Sequence, residues 1–304
     1  MFLAAKMSLT TVGRFAPSPS GPLHFGSLVA TLGSYLMARQ NNGHWLVRIE
    51  DLDPPREVPG AATEILKTLE SFGFEWDGKI VYQSQRTQLY QTALDYLQAS
   101  KLTYNCDCSR KILAERNHGI YDGYCRQRNL TDKKKQAVRV KFDDRFSVFR
   151  DQLLGECRFD TDENIQDFII RRRDGLFAYQ LAVVVDDIAQ GVSQVVRGAD
   201  IIDSTPRQNF LYACLGKSLP DYFHLPLALD ATGQKLSKSR FSPAIRPEQA
   251  THWLAKAFNH LGQSSGEEIE NLSPCEFLLY AVKSFRIENI GKVPIRYSTG
   301  DLGQ

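Results

Sequence analysis

No run of apolar residues in the 304-residue chain is long enough to cross a bilayer as a helix, so no membrane span is expected. The opening Met1-Phe2-Leu3-Ala4-Ala5-Lys6-Met7 has too short an apolar centre for a secretory signal, and either Met1 or Met7 can serve as the start. A dominant charge sign is also missing. Lys and Arg number 37 against 35 Asp and Glu, a net charge of +2, so any nucleic-acid contact must come from a local patch. Six cysteines are too few for a disulfide scaffold at this length, which points to a reducing, cytoplasmic compartment. Internal repeats and low-complexity segments are absent. The first strand-to-helix loop is not Gly-x-Gly-x-x-Gly, which excludes the dinucleotide fingerprint. Apolar content of 42% and charged content of 24% describe an ordinary globular chain. Its length suits one large catalytic domain with insertions, or two modest domains.

What is present begins with Gly13-Arg14-Phe15-Ala16-Pro17-Ser18-Pro19-Ser20-Gly21-Pro22-Leu23-His24-Phe25-Gly26-Ser27. It follows a strand over Thr11–Phe15 and precedes a helix over Leu28–Asn41. A loop of Pro, Ser and Gly lets backbone N–H groups approach an anion, and the helix N-terminus adds partial positive charge. His24 and Gly26 stand where a phosphate would meet the first turn. Far downstream, Lys235-Leu236-Ser237-Lys238-Ser239 offers two mobile cations and two hydroxyls to a polyphosphate.

The pair resembles the HIGH and KMSKS signatures of class I aminoacyl-tRNA synthetases, here His24-Phe25-Gly26-Ser27 and Lys235-Leu236-Ser237-Lys238-Ser239. Ser27 replaces the last His, as is usual in the glutamate and glutamine branch, and the string from Gly13 to Gly21 is typical of its glutamyl members. The resemblance covers about Gly13 to Ser239. It implies an α/β class I core, a Rossmann-like doubly wound parallel sheet, with an insertion and a short helical C-terminal region.

The chain order agrees with alternating elements. His44–Ile49 reads as a buried strand ending in Glu50-Asp51-Leu52-Asp53, and acidic residues past such a strand lie in the ligand crevice. Helices are expected over Gly60–Phe72 and Gln85–Ser100, with a short strand at Ile80–Gln83 between them. Val138–Phe142 alternates like a strand, and Phe168–Ile170 and Phe177–Tyr179 flank a hairpin turn at Arg171–Gly175. Periodicity leaves Leu181–Asp187 open between helix and strand; the resemblance implies a helix there and a strand over Val192–Val196. Further helices are expected over Thr205–Leu215, Pro247–Leu261 and Pro274–Phe285, and a loose polar end over Ile287–Gln304. Lys133-Lys134-Lys135 reads as a solvated turn.

Cys106, Cys108 and Cys125 lie within twenty residues and can form three corners of a tetrahedral zinc site. Tyr121, Tyr124 and His118 are candidates for the fourth, with imidazole the usual choice on chemical grounds. The resemblance to a short glutamyl-type branch implies Cys106, Cys108, Tyr121 and Cys125, holding one structural Zn²⁺.

The resemblance further implies four regions. Residues 8–100 are a nucleotide-binding α/β half. Residues 101–165 are a zinc-binding, acceptor-type insertion. Residues 166–240 are a second α/β half, and 241–304 a helical C-terminal region. It implies a ligase, expected as a cytoplasmic monomer, that activates L-glutamate with Mg²⁺-ATP without needing tRNA for that step. His24 and Lys238 would be catalytic. His24, Gly26, Ser27, Lys235 and Lys238 would hold ATP. Arg14, Phe15, Ala16, Pro17, Ser18, Glu50, Tyr179 and Arg197 would hold glutamate, with the two arginines and Tyr179 on the side-chain carboxylate and Glu50 on the ammonium. An Arg14–Glu50 salt bridge is the plain structural alternative. Only 65 residues follow Ser239, too few for an anticodon-reading region plus the helices that support the site. The acceptor expected from the short branch is therefore queuosine at the wobble position of tRNA(Asp); the alternative is a truncated enzyme charging the 3′ end of tRNA(Glu).

Overall fold

The computed structural model describes residues 10–118, 120–131, 135–160, 166–236, 245–264, 269 and 271–297. The opening residues Met1 to Met7, Lys133, Lys134, Ser237, Lys238 and Ser239 lie outside the described residues. The chain opens with β1 (Val12–Phe15), α1 (Phe25–Gln40) and β2 (His44–Ile49). It continues through α2 (Ala61–Ser71), β3 (Val81–Tyr82) and α3 (Thr87–Ala99). Next come β4 (Thr103–Cys106), α4 (Arg110–Asn117), β5 (Ala137–Val140), β6 (Val148–Asp151), β7 (Gly155–Arg158) and β8 (Phe168–Arg171). Then follow α5 (Tyr179–Ala189), β9 (Gln194–Gly198), α6 (Thr205–Cys214), β10 (Asp221–Leu225), β11 (Ala228–Asp230), α7 (Ala250–His260), α8 (Pro274–Ser284) and β12 (Ile295–Tyr297).

The core is parallel. β1 pairs with β2, β2 with β3, and β9 with β10, all parallel. β1 lies against β9, where the Ser193 amide donates to the Val12 carbonyl at 3.0 Å, so the two groups of strands run side by side. This is the mixed α/β, parallel-sheet architecture expected of a class I core. The segment between α3 and α5 is antiparallel instead: β4–β5–β8 form one small sheet and β6–β7 a hairpin.

Sequence chemistry accounts for the packing. α1 buries residues on nearly every side, as a helix sandwiched between sheet and helices must. Trp45 has no exposed surface, stacks among Phe15, Tyr35 and Phe74, and donates its indole N–H to Ser34 Oγ at 3.0 Å. α8 starts in a capping box: the Ser273 hydroxyl accepts from the Glu276 amide, and Glu276 accepts from the Ser273 amide. One apolar cluster joins β1, α1 and β2 to α7 and α8; a second joins α3, α5, α6 and the insertion sheet.

Several expectations are corrected. The strand expected at Val192–Val196 runs over Gln194–Gly198, because Val192 is spent closing the turn after α5. Phe177–Tyr179 is not a strand: Phe177 makes one bridge to Arg171, and Tyr179 already begins a helix, which also resolves Leu181–Asp187 as helical. The expected helix over Gln85–Ser100 starts at Thr87, after a 3-10 turn over Gln83–Arg86. The end is not wholly loose. Residues Ile295–Tyr297 pair in parallel with β11, and the Tyr297 hydroxyl lies 2.7 Å from His260 Nδ1.

A buried ion cluster joins the two halves. Arg48 on β2 has no exposed side-chain surface. It donates to Asp187 on α5 at 2.7 Å, to Gln190 at 2.8 Å and to Glu50 at 3.2 Å, and lies 3.9 Å from Asp186. Asp187 also accepts from Arg14 Nε at 3.3 Å, and Asp186 pairs with Arg86 at 2.5 Å. Burial alone would raise the Asp187 pKa, but the Arg14 and Arg48 guanidiniums hold it below the usual carboxylate range. Removing one partner from such a cluster leaves a buried charge unanswered. Arg48→Met keeps the side chain's length and strands Asp187 and Glu50. It should cost about 3–5 kcal/mol of stability in urea unfolding; a loss well under about 1 kcal/mol would show that the cluster does not hold the halves together.

Candidate active site and cysteine cluster

The C-terminal ends of β1 and β9 face one crevice, the place where open α/β sheets bind ligands. Two cavities adjoin there. The first, about 350 Å³, is lined by Phe15, Ala16, Pro17, Ser18, His24, Gly26, Ser27, Ile201 and Lys235, among others. The second, about 560 Å³, is lined by Ser18, Glu50, Asp53, Arg56, Gln83, Arg172 and Tyr179, among others. Ser18, Ser20, Asp200 and Lys235 border both, so the two form one cleft.

His24 is the N-cap of α1. Its Nδ1 accepts the Ser27 amide proton at 3.1 Å, so the neutral ring carries its proton on Nε2, 3.0 Å from Ser27 Oγ. That N–H is the donor an incoming anion would find. Gly26 leaves room for the ring: a Cβ there would sit 3.3 Å from His24 Cε1. Burial, then the nearby Lys235 ammonium, lowers the His24 pKa to about 4. Lys235 Nζ pairs with Asp200 Oδ2 at 2.5 Å. A Cβ on Gly198 would fall 2.6 Å from Asp200 Oδ1, so a larger residue there would push the Asp200 carboxylate aside.

The other expected site residues divide by depth. Phe15, Ala16, Pro17 and Ser18 line the first cavity; Glu50 and Tyr179 line the second. Arg14 and Arg197 are buried, 4% and 6% exposed, and lie behind these linings. Arg14 does not pair with Glu50. Its Nε–H is shared between the two Asp187 oxygens, each 3.3 Å away, which leaves its terminal amino groups without a partner among the described residues. Burial raises the Glu50 pKa, against the pull of the Arg48 and Arg14 cations. Among the described residues, Arg197 has no carboxylate in contact. It donates to His224 Nε2 at 3.1 Å, Gln208 Oε1 at 2.8 Å and Thr205 Oγ1 at 2.8 Å. Burial, foremost, raises the Tyr179 pKa, while the Arg197 cation lowers it.

The three expected thiols converge. Their sulfurs lie within 4.8 Å of one another, all buried and none in a disulfide, and Cys108 and Cys125 are 3.5 Å apart. Arg139 Nε lies 3.3 Å from Cys106 Sγ, and its hydrogen bond lowers the Cys106 pKa although burial opposes the shift. Burial pushes the Cys108 thiol up to about 12. Of the three candidates for a fourth position, Tyr121 is buried at the cluster, where its hydroxyl accepts from the Cys125 amide at 3.0 Å. Tyr124 is 43% exposed, with the Arg116 and Arg128 guanidiniums over its ring. His118 caps the end of α4 and is not among the groups converging with the sulfurs.

Sequence reasoning placed Asp200 at the ligand edge after the strand but missed Arg48, Asp186, Asp187, His224 and Asp151 as parts of the site. A signal existed for most of them. Arg48 interrupts Trp45-Leu46-Val47-Arg48-Ile49 and the two aspartates end a run of valines. A charge inside an apolar run marks a buried pair, but not which partner it finds.

The family model of class I tRNA synthetases (E and Q), catalytic domain, matches residues 10–256. A glutamyl-Q tRNA(Asp) synthetase of Serratia proteamaculans (strain 568) is 50% identical over 279 residues, 92% of this chain and 91% of its own. One of Escherichia coli (strain K12) is 49% identical over 299 residues, 98% of this chain and 96% of its own. Among solved structures, a glutamate-tRNA synthetase of Elizabethkingia anophelis has a TM-score of 0.81 at 25% identity. It covers 95% of this chain, which spans 68% of that one.

The His24 geometry makes a prediction of its own. Its imidazole should stay neutral from about pH 5 to 8, whereas an ordinary histidine titrates near 6.5. Because the folded-state pKa is the lower one, the stability tied to His24 is fully present above about pH 6.5 and is lost as the pH falls toward about 4. The ring-proton NMR shift should show a midpoint near 4. A midpoint at about 6.5 would refute the buried, amide-fixed ring.

Proposed function

We propose that this chain, which belongs to the class I tRNA synthetase family for glutamate and glutamine, activates L-glutamate with ATP and transfers it to queuosine at the wobble position of tRNA(Asp). The observation that carries the acceptor is the likeness to glutamyl-Q tRNA(Asp) synthetases at 49–50% identity across more than nine-tenths of both chains. The observation that favours an acidic amino acid is electrostatic. Arg14, Arg48 and Arg86 meet Glu50, Asp186 and Asp187, three charges against three, while Arg197 beside them touches only neutral acceptors. A buried cation in that state favours a carboxylate ligand.

In the first step a carboxylate oxygen of glutamate attacks the α-phosphorus of ATP, the bond to the β-phosphate oxygen breaks, and pyrophosphate leaves. Chemistry of this kind rests on positioning and on stabilising developing charge. His24 Nε2–H, the Gly26 amide and the Ser27 hydroxyl, at the start of α1, would hold phosphate oxygens. Lys235 would leave Asp200 to meet them, with Lys238 on the departing pyrophosphate. Mg²⁺ would arrive with ATP and screen its charge. Arg197, Arg14 and Tyr179 would hold the side-chain carboxylate and Glu50 the ammonium, with Phe15 to Ser18 closing the wall. In the second step an acceptor hydroxyl attacks the activated carbonyl and AMP leaves. The vicinal hydroxyls of the queuosine cyclopentene ring resemble those of a terminal ribose and would enter through the second cavity, past Asp53 and Arg172.

The cysteine cluster fits a structural Zn²⁺. Zinc–sulfur bonds of about 2.3 Å in a tetrahedron place sulfurs about 3.8 Å apart, close to the Cys108–Cys125 spacing. Cys106, Cys108, Cys125 and Tyr121 would hold the ion, whose contribution is to fix the insertion rather than to react. Elemental analysis should find one zinc per chain; a metal-free protein with all three thiols open to titration would overturn the assignment.

The function is tested with labelled glutamate, ATP and defined tRNAs. Pyrophosphate exchange should depend on glutamate, exceed that with glutamine and proceed without tRNA. Label should appear on tRNA(Asp) containing queuosine and not on the same tRNA from cells unable to make it. Label on tRNA(Glu) alone would replace the proposal with 3′-end charging, a reading the glutamate-tRNA synthetase fold supports.

A further inference from the structure

Behind the cleft runs a chain of buried polar groups that the reaction above does not use. Asp151 ends β6, on the hairpin of the insertion, and both its carboxylate and the His224 ring have no exposed side-chain surface. Asp151 Oδ1 accepts the Leu153 and Leu154 amides at 2.9 and 2.8 Å. Its Oδ2 accepts the His224 amide at 3.1 Å and stands 2.7 Å from His224 Nδ1. On the far side of the ring, Arg197 Nε lies 3.1 Å from His224 Nε2. An arginine Nε can only donate, so Nε2 must accept and the ring proton must sit on Nδ1, directed at Asp151. Four donors converge on the Asp151 carboxylate, so it is the ionised form that fits. Tyr222 stacks on the ring at 6.0 Å with a 7° interplanar angle, fixing its plane.

The bonds of Arg197 follow from this tautomer. Of its five N–H groups, three go to His224, Gln208 and Thr205. One remains on each terminal nitrogen, a pair suited to the two oxygens of a carboxylate. We propose that Asp151 and His224 are positioning residues that set the direction of Arg197, and that the preference for a carboxylate-bearing amino acid over its amide depends on them. The proposal rests on the reading that Arg197 receives the glutamate side chain. It adds that a residue of the insertion hairpin, remote from the cleft, governs that selectivity.

Substitutions separate the two halves of the relay. In Asp151→Asn the amide nitrogen faces the Nδ1 proton; the ring relieves this by moving its proton to Nε2, where it opposes the Arg197 Nε–H. His224→Gln places an amide group near the former Nε2 and can still accept from Arg197. His224→Asn places its amide near the former Nδ1 and cannot. Asp151→Asn and His224→Asn should raise KM for glutamate about 10- to 100-fold, the scale of one hydrogen bond to a charged group. The kcat should change only a few-fold and KM for glutamine little, so the glutamate-to-glutamine ratio collapses. His224→Gln should recover most of the ratio. A merely structural role would lower activity with both amino acids together and would not distinguish Gln from Asn.

A second measurement needs no catalysis and no variant. Nitrogen-15 shifts of the unmodified protein should show His224 protonated on Nδ1, and a proton on Nε2 would overturn the proposal. If the unmodified protein shows no glutamate-dependent exchange, the functional reading fails whatever the tautomer is. If it prefers glutamate and Asp151→Asn retains both the ratio and KM, the positioning role fails while the reading stands.

Discussion

The structure depends on answering the charge of Arg48. A guanidinium with no exposed surface is costly to bury unless anions and acceptors surround it, and here they come from both halves of the chain. Glu50 lies two residues along the same strand, whereas Asp186, Asp187 and Gln190 come from α5. The ion cluster is complete only when α5 docks against β2 in one register. Docking places Asp187 between Arg48 and Arg14, at 2.7 and 3.3 Å. Thus one constraint orients Arg14, positions Glu50 and fixes the start of the helix that carries Tyr179. Burial, opposed by flanking cations, shifts Glu50 up and leaves Asp187 down, so two neighbouring carboxylates acquire different proton affinities.

The insertion is tied down by the same kind of logic. Asp167 accepts from the Tyr104 hydroxyl at 2.6 Å and the Phe142 amide at 2.8 Å, and pairs with Arg126 at 3.2 Å. The Tyr104 oxygen also lies 3.1 Å from the Tyr121 hydroxyl, and Arg139 stacks over the Tyr121 ring while reaching both Cys106 and the Asp167 carbonyl. The sulfurs therefore sit against a wall whose orientation comes from the β4–β5–β8 sheet. Burial disfavours the thiolate, yet the Arg139 cation beside Cys106 favours it there, and thiolate is the form a metal requires.

Much of this was legible in the chain. The order of helices and strands followed from periodicity and turn residues, and His44–Ile49 was bounded to the residue because Gly43 and the acidic run after Ile49 frame it. His24, Gly26 and Lys235 could be assigned to one cleft because the two signatures are specific and lie at strand ends. What sequence could not supply was pairing at a distance. The plain structural alternative paired Arg14 with Glu50; the actual protein partners are Asp187 for Arg14 and Arg48 for Glu50, and docking of α5 brings Asp187 to Arg14. The short strand Ile295–Tyr297 was hidden for a related reason. Three residues carry no period, and their place beside β11 comes from tertiary contacts such as the Tyr297–His260 pair.

The two buried arginines show why the distinction between orientation and neutralisation matters. Arg14 is held by a carboxylate in direct contact, so an acidic ligand meeting it must share a cation already matched. Arg197 is held as firmly, by an imidazole, an amide oxygen and a hydroxyl, none of them charged. The carboxylate that belongs to it, Asp151, stands one imidazole away, and Coulomb attraction weakens with that separation. Burial, foremost, lowers the His224 pKa, and the nearby Arg197 charge acts in the same direction, so the ring remains a neutral spacer. An arginine placed this way is fixed in direction yet keeps its charge for what enters the cleft. A neutral amide beside it would leave that buried charge unanswered, and a carboxylate would not. The support of this arginine reaches through His224 into the hairpin of the insertion, and on the proposed reading the selectivity would be a property of that support.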